Sequence, residues 1–174
     1  MGVCRAIVIG CGLSLLAACS TGAPRQAPGV RQAAVPPVRS IAVSPAAYMA
    51  QASSASLLMV RMSQLVAGRE GELGERARRV LADHQGIAAQ LSFAGRRLNL
   101  LPSATLLPEH QVLFDQASAG TTEPAYQRVL GEVLPGLAAL HEQYRRLGTS
   151  ATLRPVAAMA APVVQRELSE LPGR

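Results

Sequence analysis

The chain has no lysine and no tryptophan, and it has only five aromatic residues and three cysteines. All seventeen basic residues are therefore arginine. Together with the abundant alanine and leucine, this is typical of a GC-rich genome rather than of one function. The few aromatics and the absence of any nucleic-acid-binding motif argue against a nucleic-acid partner.

The first eighteen residues have the pattern of a secretory signal peptide. Arg5 gives a positively charged start, and residues 6–17 form an apolar run that is too short for a transmembrane helix of about 20 residues. The run ends in Leu16-Ala17-Ala18-Cys19, which resembles a bacterial lipobox. We predict a lipoprotein signal peptide over residues 1–18 and a palmitate-containing lipid on Cys19. An ordinary signal peptide with a chance cysteine is the alternative.

Lipidation of Cys19 would use the last thiol of the mature chain, because Cys4 and Cys11 leave with the leader. Neither a disulfide nor a cysteine-based metal site could then form. Two acyl chains anchor a protein stably, whereas one binds reversibly. Ser20 stands where an aspartate usually retains Gram-negative lipoproteins at the inner membrane. We therefore predict attachment to the periplasmic face of the outer membrane, with the inner membrane as the alternative.

Residues 19–45 contain five prolines and three arginines but no acid. We predict a disordered tether, which at about 3.1 Å per residue could reach roughly 75 Å and hold a domain clear of the lipid surface. The mature chain carries sixteen arginines against eleven acids. We interpret this balance as a solvated basic surface, and anionic lipids or anionic envelope polymers as partners are the alternative.

From Ala46 onward, apolar residues recur every three or four positions, as in amphipathic helices. We predict four long helices and a short one, forming a single all-α bundle domain over residues 46–174. Pro135 should kink or split the fourth of these helices, and Pro162 should bend the fifth. The predicted bounds are Ala46–Ala67, Glu72–Leu98, Glu109–Ala117, a helix capped by Thr122 and stopped by Gly148, and Ala151–Leu171.

Each long helix has a stripe of residues that we expect to be buried. The second helix has the clearest stripe, which includes a histidine. The fifth includes a glutamate. The four stripes comprise Ala55, Leu58, Met62 and Leu65; Ala77, Val80, His84, Ile87, Leu91, Ala94 and Leu98; Tyr126, Leu130, Val133, Leu137, Leu140, Tyr144 and Leu147; and Leu153, Val156, Ala160, Val163, Glu167 and Leu171.

Several segments resemble a bacterial family of predicted outer membrane proteins, the DUF4142 family, and the resemblance covers about residues 48–171. It implies a ferritin-like antiparallel four-helix bundle. The matching segments are Tyr48–Ala52, Ala77–His84, Ala125-Tyr126, and Ala161–Val164 followed by Glu167-Leu168.

Members of this family carry histidines on three helices, and the resemblance places His84 at the first of these positions. Leu134 stands at the second and Glu167 at the third. The family also favours acids in its first helix, where this chain has Met59 and Arg61. A ligand site implied by the family is therefore incomplete here.

His84 and Glu167 could meet inside the bundle as a buried polar pair or, with Asp83, as part of a ligand site. Di-iron bundles use two Glu-x-x-His pairs, and this sequence has none. One histidine and one carboxylate are fewer than the three or four protein ligands usual for zinc. We therefore predict no cofactor other than the covalent lipid, and we interpret His84 as a core histidine satisfied by hydrogen bonding.

The other two histidines are expected at the surface. His110 lies in or near a loop, and His141 flanks an apolar stripe. His141-Glu142 begins like a zincin motif, but Arg145 occupies the position of the second histidine. Because no other catalytic motif is present, we predict a non-enzymatic, lipid-anchored envelope or interaction module. A metal- or small-ligand-binding bundle that uses His84 and Glu167 is the alternative.

Overall fold

The computed structural model describes residues 42–120 and 122–171. Cys19, the leader and nearly all of the tether lie outside these residues. Every regular element in the described part is a helix, which confirms the all-α prediction. The helices are α1 (Pro45–Val66), α2 (Gly71–Leu98), α3 (Pro108–Ser118), α4 (Glu123–Leu147) and α5 (Leu153–Ser169).

Local capping explains where the helices begin and end, within two residues of the predicted bounds. The Ser44 hydroxyl accepts the Ala47 N–H at 3.2 Å, and the Thr122 hydroxyl accepts the Ala125 N–H at 3.3 Å. Both side chains satisfy a backbone donor that has no partner within the helix. Asn99 ends α2 in the left-handed conformation, with φ of 54°. Asparagine tolerates this conformation better than most residues.

The interior prolines do not divide their helices. α4 continues through Pro135 and α5 continues through Pro162, so of the two outcomes predicted at Pro135, a kink or a split, the split does not occur. A proline removes one backbone hydrogen bond from a helix. Leu134 and Leu137, on either side of Pro135, are buried, and their packing stabilises the helix across the missing bond.

The four long helices contact one another in a closed order, in which each helix has two of the other three as its main neighbours. α1 packs against α2 and α4, and α5 packs against the same two helices, while α3 lies over α1 and α4. Tyr48 near the start of α1 contacts His141 near the end of α4. Ser63 near the end of α1 contacts Tyr126 near the start of α4. α1 and α4 are therefore antiparallel.

α2 and α5 are antiparallel as well, because Arg79 pairs with Glu170 while Asp83 pairs with Arg166. Residues 148–152 connect the end of α4 to the start of α5. The start of α1, the ends of α2 and α4 and the start of α5 therefore lie together. We call this the tether end, because the residues before α1 enter here.

Two residues predicted on buried stripes are exposed, namely Leu65 (43%) and Leu147 (46%). In α1 the buried stripe continues from Met62 to Val66, one position beyond Leu65. α4 ends at Leu147, one turn after the buried Tyr144. A step of three rather than four residues at the end of a stripe is enough to move a side chain off the buried face.

Candidate functional site

Four polar side chains, one from each long helix, lie in the core. Tyr48 of α1, His84 of α2 and His141 of α4 are fully buried, and Glu167 of α5 is 6% exposed. We call these residues the core polar cluster. Buried polar groups are costly unless they are hydrogen-bonded, so the contacts among them determine what the cluster can do.

His84 and Glu167 bind each other. The His84 Nε2–H donates to Oε2 of Glu167 at 3.0 Å, with side-chain exposures of 0% and 4%. Both residues lie on the buried stripes of their helices, and the bond connects α2 to α5. His84 Nδ1 and Glu167 Oε1 are also buried, and they have no hydrogen-bond partner among the described residues. Each side chain therefore uses only one of its two polar atoms in this bond.

His141 is fully buried, so its predicted surface position is wrong. It follows Leu134, Leu137 and Ala138 at helical spacing on the buried face of α4. That spacing can be read from the sequence. It marks a second stripe, which lies beside the α4 stripe that we predicted to be buried. Because α4 packs against both α1 and α5, its buried face is wide enough to include both stripes.

Tyr48 is the hydrogen-bond partner of His141, with 3.0 Å between its hydroxyl oxygen and Nδ1. If the hydroxyl donates, His141 carries its proton on Nε2; if Nδ1–H donates, Nε2 is an open acceptor. Nε2 is buried without a partner among the described residues in both cases. Tyr48 is held in place by stacking on Tyr144, with ring centroids 3.9 Å apart and planes at 18°.

Burial sets the charge state of this second pair. Burial, together with a smaller effect of the neighbouring His84, lowers the pKa of His141 to about 4. Burial and the nearby Tyr144 raise the pKa of Tyr48 well above its ordinary value. His141 is therefore neutral and Tyr48 protonated at neutral pH, so their contact is a hydrogen bond between uncharged groups.

Asp83 does not join the core polar cluster. Its carboxylate accepts a hydrogen bond from Arg166 at 2.6 Å, and the two side chains are 28% and 53% exposed. Asp83 and His84 are adjacent in the chain, but they lie on different sides of α2. The three residues grouped from the sequence thus divide into a buried pair and a surface contact.

His110 is half-buried in α3 rather than at the surface. Its Nδ1 lies 2.7 Å from the Ser54 hydroxyl, which also accepts the Leu107 N–H at 2.7 Å. Burial lowers the pKa of His110. Since both contacts connect α3 and the residue before it to α1, we interpret His110 as a residue that positions α3.

A third buried contact joins α1 to α4 farther from the tether end. The hydroxyls of Ser63 and Tyr126 are 2.9 Å apart. Burial raises the pKa of Tyr126 to about 12 although the Ser63 hydrogen bond opposes the shift. The sequence stripe placed Tyr126 correctly, but it contained no sign that a serine of α1 would be its partner.

The surroundings of the core polar cluster limit its chemistry. Over residues 42–120 and 122–171, no group of three or more His, Cys, Asp or Glu side chains is placed to hold a metal ion. Five surface grooves of about 340–490 Å³ lie over these helices, and none is lined by a residue of the cluster. A substrate in these grooves would not reach the cluster.

No family model, curated protein or solved structure matches the chain. None of the described helices has the length and apolar character needed to cross a membrane. The function is therefore inferred from the chain's own side chains and their contacts.

Proposed function

We propose that the protein is a non-enzymatic helical module of the bacterial envelope, anchored by lipid on Cys19 to the periplasmic face of the outer membrane. One observation carries the non-enzymatic part. The four residues of the core polar cluster bind one another between helices and do not line any of the five surface grooves. Catalysis would require at least one of them to meet a substrate.

The contacts of the core polar cluster join specific pairs of helices. The His84–Glu167 bond joins α2 to α5, and the Tyr48–His141 bond joins α1 to α4. A buried polar group that loses its partner is destabilising by about 1–3 kcal/mol, and more if it is charged. Each bond therefore penalises a wrong partner or register for its helix. This role is sufficient to explain why these polar residues occupy core positions.

We also propose that the long helices form a ferritin-like four-helix bundle of the DUF4142 type. The closed order of helix contacts and the antiparallel directions of the α1–α4 and α2–α5 pairs support this. The short connections between α1 and α2 and between α4 and α5 are typical of neighbouring antiparallel helices.

The anchor is tested by metabolic labelling with radioactive palmitate in a Gram-negative host. Cys19→Ser should abolish labelling and leave the protein unprocessed, because the acceptor thiol is lost. Cys11→Ser is the matched control, since it changes a cysteine within the same leader and should leave labelling intact. Labelling that survives Cys19→Ser would mean that the lipobox assignment is wrong.

A second candidate function, binding of a metal ion or small polar ligand, is favoured by one observation. Buried atoms of three helices, His84 Nδ1, His141 Nε2 and Glu167 Oε1, have no hydrogen-bond partner among the described residues. Buried polar atoms rarely lack a partner. A small guest that bound two of these atoms would remove the penalty.

Metal content separates the two functions. The full chain is purified without chelators, and its bound metals are measured alongside those of His84→Ala. The matched control is His110→Ala, which removes a histidine outside the cluster. Stoichiometric metal that is lost only in His84→Ala would favour the ligand-binding function. Metal-free protein in all three preparations would favour the structural function.

A further inference from the structure

Five of the twelve arginines in the described residues lie at the tether end. Arg96 and Arg97 lie at the end of α2, Arg145 and Arg146 at the end of α4, and Arg154 at the start of α5. All five are exposed. Within the last eight residues of α2 and α4 and the first eight of α1 and α5, Glu142 is the one acid, and it binds Arg145 and Arg146. The tether end thus has a net charge of about +4.

The remainder of the described chain has the opposite balance. Outside the tether end, residues 42–120 and 122–171 carry seven arginines against ten acids. The acids include residues of the first turns of α2 and α4 and of the end of α5, at the opposite end of the helices. The excess of positive charge therefore lies at the tether end, although the described part as a whole is nearly neutral.

Contacts between helix termini bring Arg97 of α2 beside the start of α5. One groove is lined by Phe93 and Arg97 of α2 together with Thr152 and Pro155 at the start of α5. A second groove joins the first turns of α1 to residues 100–101, which follow α2. The end of α2 therefore lies beside the starts of α1 and α5, while Arg145 at the end of α4 lines a separate groove with Ala158 and Ala161 of α5.

Large apolar side chains are exposed beside the arginines. Phe93 is 55% exposed, Leu101 67% and Leu147 46%, and all three lie at or near the tether end. The Arg96 guanidinium lies over the Phe93 ring, 6.0 Å from its centroid. Exposed Phe and Leu next to basic residues are typical of proteins that insert partly into the headgroup region of a membrane.

We propose that the tether end is a lipid-docking surface, on which the arginines bind the phosphates of anionic lipids and the apolar side chains enter the interface. Arginine matches phosphate geometry well, and the field of an anionic membrane attracts basic clusters near it. The residues before α1 enter at this face, so a lipid on Cys19 would bring it nearest the membrane. Only this last point rests on the proposed anchor.

Docking would change what the tether does. A tether that reaches roughly 75 Å leaves the domain free to stand away from the membrane. With the tether end bound to lipid, the domain would instead lie on the surface, with the opposite end of the helices facing away from it. The grooves at the tether end would be covered, and those farther along the helices would stay open to partners.

The test uses the chain from Ser20, which keeps all the described helices and has neither leader nor acyl chain. Circular dichroism is measured first, to check that this chain is helical. Its sedimentation with vesicles of mixed phosphatidylglycerol and phosphatidylcholine is then compared with its sedimentation with vesicles of phosphatidylcholine alone. We expect binding to the anionic vesicles only. Arg96→Glu with Arg97→Glu should weaken it at least tenfold, since two phosphate contacts become repulsive.

The matched control is Arg79→Glu with Arg128→Glu, which makes the same change in net charge away from the tether end. We expect it to retain most of the binding. Equal loss in both double variants, no preference for anionic vesicles, or tighter binding to an anionic polysaccharide would overturn the proposal. Because this chain carries no lipid, failure of the anchor prediction leaves the result interpretable.

Insertion of the apolar side chains is tested by fluorescence, because the chain has no tryptophan of its own. Phe93→Trp should show a blue-shifted emission when anionic vesicles are added. Leu65→Trp is the control, since Leu65 is similarly exposed (43%) but lies at the opposite end of α1. The same shift at both positions, or at neither, would contradict docking through the tether end.

Discussion

Two polar contacts join α2 to α5 at adjacent positions, and they differ mainly in exposure. Asp83 and Arg166 are 2.6 Å apart with side chains 28% and 53% exposed. His84 and Glu167 are 3.0 Å apart with side chains 0% and 4% exposed. Because successive helix residues point in directions about 100° apart, one step along each helix moves the contact from the surface into the core.

The comparison indicates that burial, rather than the distance between the polar atoms, determines how much stability is lost when each contact is broken. The surface pair is the shorter one, but exposed ion pairs contribute only about 0–1 kcal/mol and are screened by salt. Forming a buried pair requires the removal of water from its polar groups, so its net contribution to stability can be small. Its rupture is nevertheless expensive, because the remaining group stays buried without a partner.

The largest effect is therefore expected from breaking the buried pair. His84→Ala should lower the free energy of unfolding by about 3–5 kcal/mol, because the Glu167 carboxylate would lose the one hydrogen-bond donor that it has among the described residues. Urea denaturation followed by circular dichroism measures this change. A loss below about 1 kcal/mol would mean that the pair behaves like a surface contact.

Removing both partners separates two contributions to stability, namely the destabilisation caused by one unpaired buried group and the net stabilisation provided by the intact pair. His84→Leu combined with Glu167→Met keeps the volume of the core and leaves no buried charge. We expect this double variant to recover most of the stability lost in His84→Ala, since buried ion pairs can often be replaced by apolar residues at little cost. A double variant as unstable as the single one would instead indicate that packing at these positions dominates.

Acid should destabilise the fold through His141. Its pKa is about 4 in the folded protein, against about 6.5 in an unfolded chain. Between these values the unfolded chain takes up a proton that the folded protein excludes, so stability falls as the pH is lowered from 6.5 to 4. At about 1.4 kcal/mol per unit, the loss is on the order of 3 kcal/mol and levels off below pH 4.

The control for this prediction is His141→Asn, which retains an acceptor near the position of Nδ1 but does not titrate. Denaturation curves across the same pH range should be much flatter for this variant than for the natural chain. The slope that remains should come in part from His110, whose pKa is also lowered. An unchanged slope in His141→Asn would assign the acid sensitivity to other groups.

The helices were predictable from the sequence because their signals are local. The Thr122 cap, Gly148 at the end of α4 and the three- and four-residue spacing are all read within a few turns. The course of α4 through Pro135 was not predictable in this way. It depends on the burial of the flanking leucines, which in turn depends on residues of other helices.

The candidate site was only partly predictable for the same reason. His84 and Glu167 lie on the clearest stripes of their helices, so their meeting could be anticipated. His141 lies on a second buried stripe that exists because α4 has two long neighbours. Tyr48 becomes its partner only through the antiparallel packing of α1 and α4, and no spacing within either helix specifies that register.

The smallest effect is expected at the surface pair. Asp83→Ala should change stability by at most about 1 kcal/mol, since Arg166 is half-exposed and can turn to water. A double-mutant cycle with Arg166→Ala isolates the coupling of the two side chains, and raising the salt from 0.1 M to 1 M, where the screening length shortens to about 3 Å, should reduce it. The penalty of His84→Ala should remain in the same salt, because water and ions do not reach the buried carboxylate. If salt weakened both effects equally, Glu167 would be accessible to solvent and the difference between the two contacts would not be one of burial.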